Sequence, residues 1–232
     1  NPTYRISQWH YNLNAQLTNG TFTSWYWNWL QQIEYAKKIG KHNFTIMASH
    51  EAQESQYKAI VVGRGGFLTN DVFDVDAGDP TSATNSGGTY PWGIESYLGR
   101  FTYNYDNRYL LTATYRRDGS AFFGEDKRWG NFPSVSVAWR ASQEKWWKTD
   151  VVNELKFRFE IGLTGNMGNE TGIYSRMATG ASPWGTGFLP GELKNSAMQW
   201  EETKSTNYGI NIGLLNNRFT IEADYYTPDI SN

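Results

Sequence analysis

Between Leu155 and Thr164 the chain alternates strictly, with Leu155, Phe157, Phe159, Ile161 and Leu163 set against Lys156, Arg158, Glu160, Gly162 and Thr164. A period of two fits a pleated strand with one greasy and one wet face. It excludes an amphipathic helix, whose apolar residues recur every three or four positions. The same period returns along most of the chain, so antiparallel strands and their connections account for nearly all of it. The longest example runs from Tyr105 to Arg140 as one hairpin. Its first arm sets Tyr109, Leu111, Ala113 and Tyr115 against Arg108, Thr112, Thr114 and Arg116, with Leu110 among the polar set. Its second arm sets Val135, Val137 and Trp139 against Ser134, Ser136 and Ala138.

The remaining elements follow in order. Tyr4 to Leu17 reads as a strand, and Asn19-Gly20 as a tight two-residue turn. Phe22 to Ala36 carries Trp25, Trp27, Trp29, Ile33 and Tyr35 on one parity, and Lys37 to Asn43 is a short charged turn. A strand over Phe44 to Gln56 precedes a Gly-, Asp- and Ser/Thr-rich stretch from Val61 to Pro91 that reads as one long loop. Tyr97 to Tyr105 leads through Asp106-Asn107 into the hairpin. Ala141 to Asn153 holds one helical turn, and Gly165 to Ser196 reads as a second long loop. Two strands, Trp200 to Leu215 and Phe219 to Tyr225, join through Asn216-Asn217.

About nine strands result. Their connections alternate between short turns near residues 40, 106 and 216, with a medium one near 147, and long loops near 75, 125 and 180, the turn at Asn19 excepted. Transmembrane barrels have this asymmetry, with short periplasmic turns and long extracellular loops. The chain has 11 Trp, 15 Tyr and 12 Phe, yet a mean hydropathy of −0.64. No run approaches the roughly 18 apolar residues of a spanning helix, whereas a barrel with aromatic girdles and a polar lumen has this balance. A soluble, aromatic-rich β-sandwich that binds carbohydrate would have similar totals. The facing of the greasy rows separates the two: toward lipid in a barrel, into a dry core in a sandwich. With 21 basic and 23 acidic residues there is no cationic excess for nucleic acid, and without cysteine there is neither disulfide nor thiolate chemistry. No secretion signal opens the chain, and both ends look cut.

The motifs SYLGRFTYNYDNRYLLTATYRRDGS at Ser96 to Ser120, RWGNFPSVSVAWR at Arg128 to Arg140, ELKFRFEIGLTGN at Glu154 to Asn166 and MQWEETKSTNYGINIGLLNNRFTIEADYY at Met198 to Tyr226 closely resemble, in order, those of SusC/RagA-type TonB-dependent outer-membrane transporters. Lys41-His42-Asn43-Phe44 resembles that family's turn into a strand. The resemblance implies an all-β, antiparallel, up-and-down transmembrane barrel in the outer membrane of a Gram-negative bacterium, with residues 1–232 as one partial barrel domain. It also implies import of an oligosaccharide or peptide, a SusD-like surface lipoprotein partner, outer-membrane lipid around the wall, and TonB acting through a plug region not seen here. A barrel of this kind closes with about 22 strands, so these strands form part of one.

For substrate or partner contact the resemblance points to loops around Gly63 to Pro91, Arg116 to Phe132 and Gly165 to Ser196, where Trp92, Trp129 and Trp184 are the aromatics suited to stacking on sugar faces. Girdle or loop packing is the alternative role for each. Arg116, Arg117 and Asp118 form a charge cluster that fixes its loop or meets a ligand. Asp71, Asp74, Asp76 and Asp79 are a weak calcium candidate, because their spacing does not fit an EF-hand loop. His10, His42 and His50 lack zinc spacing, and Gly63-Arg64-Gly65-Gly66 lacks the Lys-Ser/Thr of a P-loop. Glu201 and Glu202 point to opposite strand faces, while Glu222 and Asp224 share a face on which lumen residues are polar anyway. Neither an enzyme nor a cofactor is expected.

Overall fold

The computed structural model describes residues 15–69, 71–168, 177–190 and 198–231. Its strands are β1 (Gln16–Ile39), β2 (His42–Gly65), β3 (Thr84–Tyr105), β4 (Tyr109–Ser120), β5 (Trp129–Arg140), β6 (Val152–Asn166), β7 (Met177–Ser182), β8 (Gly185–Pro190), β9 (Glu201–Leu214) and β10 (Phe219–Ser231). Eight hydrogen-bond in the order β1-β2-β3-β4-β5-β6-β9-β10, and β7 pairs with β8. The chain is thus an antiparallel meander with one hairpin inserted between β6 and β9, as a partial up-and-down barrel requires. No described helix is long and apolar enough to cross a membrane.

Several boundaries differ from those the sequence suggests. Asn19 and Gly20 lie inside β1, and neither takes the positive φ that a two-residue I′ turn needs. Pairing with β2 holds the backbone extended there, so the expected turn is absent. Most of the strand expected at Tyr4 to Leu17 lies outside the described residues. The charged turn at Lys37 to Asn43 shrinks to Gly40-Lys41, where Gly40 has φ +58°. The loop expected over Val61 to Pro91 shortens to 66–83, because β2 runs on to Gly65 and β3 starts at Thr84. Gly165 to Ser196 is likewise not one loop, since β7 and β8 occupy part of it. Asn216 and Asn217 do turn the chain at φ +56° and +59°, but Leu215 joins them at +51° and the connection spans 215–218.

The chain divides into two compact units. One takes in Glu54–Trp92 and the residues up to Trp27. Within it Phe22 stacks on Tyr57 at 6.0 Å, and the β2–β3 connection folds back through Asp79 N–H donating to the Gly65 carbonyl at 2.9 Å.

The other unit holds Asn28–Gln53 and Gly93 onward. In it Asp106 N–H donates to Lys41 O at 2.8 Å, Arg140 N–H to Arg108 O at 2.8 Å, and Leu215 N–H to Val151 O at 2.9 Å. These bonds gather the short connections at one end of the sheet. Its registers line side chains into rows: Tyr109, Trp139, Phe157, Ile210 and Ala223; then Leu111, Val137, Phe159, Tyr208 and Tyr225; then Ala113, Val135, Ile161 and Thr206. The intervening rows are polar, such as Thr112, Ser136, Glu160, Asn207 and Tyr226. In β5 the greasy residues are the exposed ones, Val135 at 42%, Val137 at 43% and Trp139 at 38%, while Ser134 and Ser136 are half-buried. A sandwich needs these rows in its core, so that alternative fails. A cluster with core packing sits instead at the opposite end, where Phe123, Phe132 and Trp200 are nearly sealed from solvent with Ile94, Leu163, Met167 and Met198 around them. Trp200 Nε1 donates to the Arg128 carbonyl at 2.9 Å and ties β9 to the β4–β5 connection.

Candidate functional site

The polar rows of the second unit line a concavity of about 620 Å³. Arg100 and Leu98 of β3, Thr114, Arg116 and Asp118 of β4, Phe132 and Ser134 of β5, Glu160 and Gly162 of β6, Ser205 and Asn207 of β9 and Tyr226 of β10 all reach it. Since alternate strand positions share a face, the pattern that places valines outside places these groups together. Arg116 Nε donates to both Asp118 carboxylate oxygens at 2.8 and 2.7 Å, and its Nη2 donates to Ser96 at 3.2 Å. Ser205 and Tyr226 hydroxyls meet at 3.0 Å.

Beside the concavity Arg158 grips three side chains. It donates to Asn211 at 2.7 Å, to Glu222 at 2.6 Å and to Asp224 at 3.0 Å. The guanidinium crosses β9 to reach β10 because Gly209 lies between Arg158 and Asp224 in register. A Cβ on Gly209 would stand 2.6 Å from Asp224 Oδ1 and 2.8 Å from Arg158 Cζ. Glu222 and Asp224, a carboxylate pair on one face, are thereby held as partners of one cation. Nothing in this arrangement presents a general acid opposite a base.

A second network closes the short-turn end. Arg108 bridges Asp106 at 3.1 Å and Glu144 at 2.9 Å, and Lys41 meets Asp106 at 2.7 Å. Glu144 also accepts from the Tyr109 hydroxyl at 2.6 Å and Trp139 Nε1 at 3.2 Å. The Tyr109 hydroxyl, then the Trp139 indole, then Arg108 hold the Glu144 carboxyl below the usual glutamate range. A carboxylate whose folded pKa is depressed stabilises above its unfolded value and loses that contribution as pH falls through the folded one. The expected result is a loss of amide protection at the β3–β4 and β5–β6 connections, with exchange referred to its intrinsic rate at each pH, as pH drops through and below the ordinary glutamate range. In Glu144→Gln this protection should already be reduced at neutral pH and should vary less with pH. An unchanged pH profile in that variant would contradict the assignment.

The three tryptophans singled out from the sequence belong to three different parts of the chain's strand order. Trp92 is half-buried within β3, not in a loop. Trp129 opens β5, with Arg117 Cζ 4.9 Å above its ring and Tyr97 at 6.0 Å. Trp184 lies at the β7–β8 tip and is 93% exposed. The acidic run at Asp71 to Asp79 does not converge either. Asp79 caps the short 3-10 turn Pro80–Ser82 by accepting from Thr81 N–H at 2.8 Å, and Asp71 accepts from the Thr69 hydroxyl at 2.9 Å. No three His, Cys, Asp or Glu among the described residues are placed to hold a metal ion.

A comparison with models of known protein families finds no match. The TonB-dependent receptor SusC of Bacteroides thetaiotaomicron is 31% identical over 246 aligned residues, which take in 98% of this chain and 24% of SusC. TonB-dependent receptor P39 of Formosa agariphila is 37% identical over 138 residues, 57% of the chain and 13% of P39. Among solved structures, the RagAB peptide transporter superposes at a TM-score of 0.85 with 21% identity, covering 92% of this chain and 24% of that one. Its open-open state gives 0.83. The chain spans about a quarter of the length of SusC, and these relatives are receptors and transporters rather than enzymes. Motif order, similarity along nearly the whole chain and a sheet that is greasy outside and polar inside agree: the chain belongs to the SusC/RagA type of TonB-dependent receptors and carries a stretch of their barrel.

Proposed function

We propose that the chain forms part of the wall of an outer-membrane importer for an oligosaccharide or a peptide, in a Gram-negative bacterium. The observation that carries this reading is the inverted exposure of the sheet, with Val135, Val137 and Trp139 outward and a polar concavity of about 620 Å³ inward. Lipid solvates the first face and water the second. In this reading the short connections lie in the periplasm and the long ones outside. A SusD-like lipoprotein sits over the long connections, and the TonB complex acts through a plug domain rather than through these strands. Trp184, between β7 and β8, is the leading contact for a sugar face or an apolar peptide side chain, with Trp92 as a secondary contact.

Uptake by cells carrying the intact receptor tests this. Labelled oligosaccharides or peptides of one class should accumulate only with both receptor and TonB present. Trp184→Ala should weaken binding of that class by about two- to tenfold, the scale of one aromatic contact. TonB-independent accumulation would contradict the importer, and unaltered binding by the variant would remove Trp184 from the site.

A further inference from the structure

Where the greasy rows end on the side of the long connections, the outward face changes character. The row above Ala113 and Val135 still holds Tyr115, but the next consists of Tyr97, Arg117 and Asn131, followed by Glu95 and Trp129 in register with Gly119. Tyr97, Tyr115, Arg117 and Asn131 are all exposed. The Tyr115 hydroxyl donates to Asn131 Oδ1 at 2.7 Å, so the amide is the end of this exposed side chain left to donate. Glu95, the carboxylate of this patch, accepts from the Tyr97 hydroxyl at 2.7 Å and contacts His50 Nε2 at 3.0 Å. The Tyr97 ring stacks on His50 at 4.8 Å. Arg117 has a different setting. Its guanidinium lies over the Trp129 ring, and among the described residues no carboxylate forms an ion pair with it.

From these groups we infer that Arg117, Asn131, Tyr97 and Trp129 form a site for the phosphorylated headgroup of an outer-leaflet glycolipid. A cation held against an indole keeps its in-plane N–H donors available while the ring covers one face. Phosphate takes charged donors of this planar kind, the Asn131 amide adds a neutral one, and the two rings suit the sugar to which a phosphate is attached. The position selects a lipid over a soluble anion, because the patch continues directly from the exposed valine and tyrosine rows on the same face. A bound glycolipid would lay its acyl chains along Tyr115, Val135 and Val137, which are 50%, 42% and 43% exposed. The inference rests on the membrane reading above and goes beyond it by naming a ligand and its residues.

The test uses the intact receptor in nanodiscs of neutral phospholipid. A bis-phosphorylated lipid A and its dephosphorylated form are titrated in, and retained glycolipid is counted by native mass spectrometry. The wild type should retain the phosphorylated form more tightly, and Arg117→Gln should lower that retention about five- to tenfold, to the level of the dephosphorylated form. Arg117→Lys should recover part of it, since charge survives but the planar stack does not. Equal retention of the two glycolipids by the wild type, or unchanged retention by Arg117→Gln, overturns the site while leaving the barrel intact. Loss of lipoprotein binding in Arg117→Gln with glycolipid retention unaltered also overturns it, by assigning the patch to a protein. Failure of the receptor to enter nanodiscs at all would overturn the membrane reading, and this site with it.

Discussion

Val137→Arg is expected to cost about 2–4 kcal/mol of barrel stability, the scale for a guanidinium at the bilayer midplane. Val137 is 43% exposed and lies in the greasy row between Leu111 and Phe159. Its neighbour in sequence provides the control. Ser136 sits on the polar face opposite Thr112 and Glu160, so Ser136→Arg places the same charge where water is expected and should cost far less. Both variants are made in the intact receptor, and the folded fraction is read from heat-modifiable migration after urea titration in bilayers. Equal destabilisation by the two would refute the assignment of faces.

Trp200→Ala should cost about 3–5 kcal/mol, the scale for deleting a buried aromatic. Trp200 is 7% exposed, packs against Phe123 at 5.2 Å and Phe132 at 5.3 Å, and donates its indole hydrogen to Arg128. Much of the loss should be local, because a barrel wall has no central core and this cluster secures the 121–128 connection. Limited proteolysis should therefore cut near Glu125–Lys127 in the variant well before the strands unfold. Trp200→Phe, which keeps the ring contacts but loses the indole donor, should fall between the two. Protection of that connection in Trp200→Ala would show that something other than the cluster holds it.

Most of the sheet was legible because a period of two is imposed by the pleat itself. Val135, Val137 and Trp139 read outward or inward as a set, and only the direction needed the structure. Turn chemistry was legible where nothing competed with it, as at Asp106-Asn107, both at positive φ. At Asn19-Gly20 the local preference lost to strand pairing, which hydrogen-bonds many residues against the leaning of two. The stretch around Trp92 was misread for a related reason. Gly, Ser and Thr predominate in loops, yet Thr84 to Gly88 lie in β3, where pairing supplies the order that packing does not. The Glu144 hub was invisible because its partners lie 36, 35 and 5 residues away. Only folding brings Arg108, Tyr109 and Trp139 to one carboxylate.

The grip of Arg158 through Gly209 bears on how such a wall finds its correct alignment. Along the greasy rows of a sheet, sliding one strand by two residues sets one apolar side chain where another stood, so burial along those rows scarcely penalises the error. A two-residue slip of β9 against β6 would put Asn207 or Asn211 opposite Arg158 in place of Gly209. Either side chain fills the gap through which the guanidinium reaches Glu222 and Asp224. One glycine and one arginine thus act as an alignment mark, telling apart arrangements that the surrounding lipid cannot distinguish.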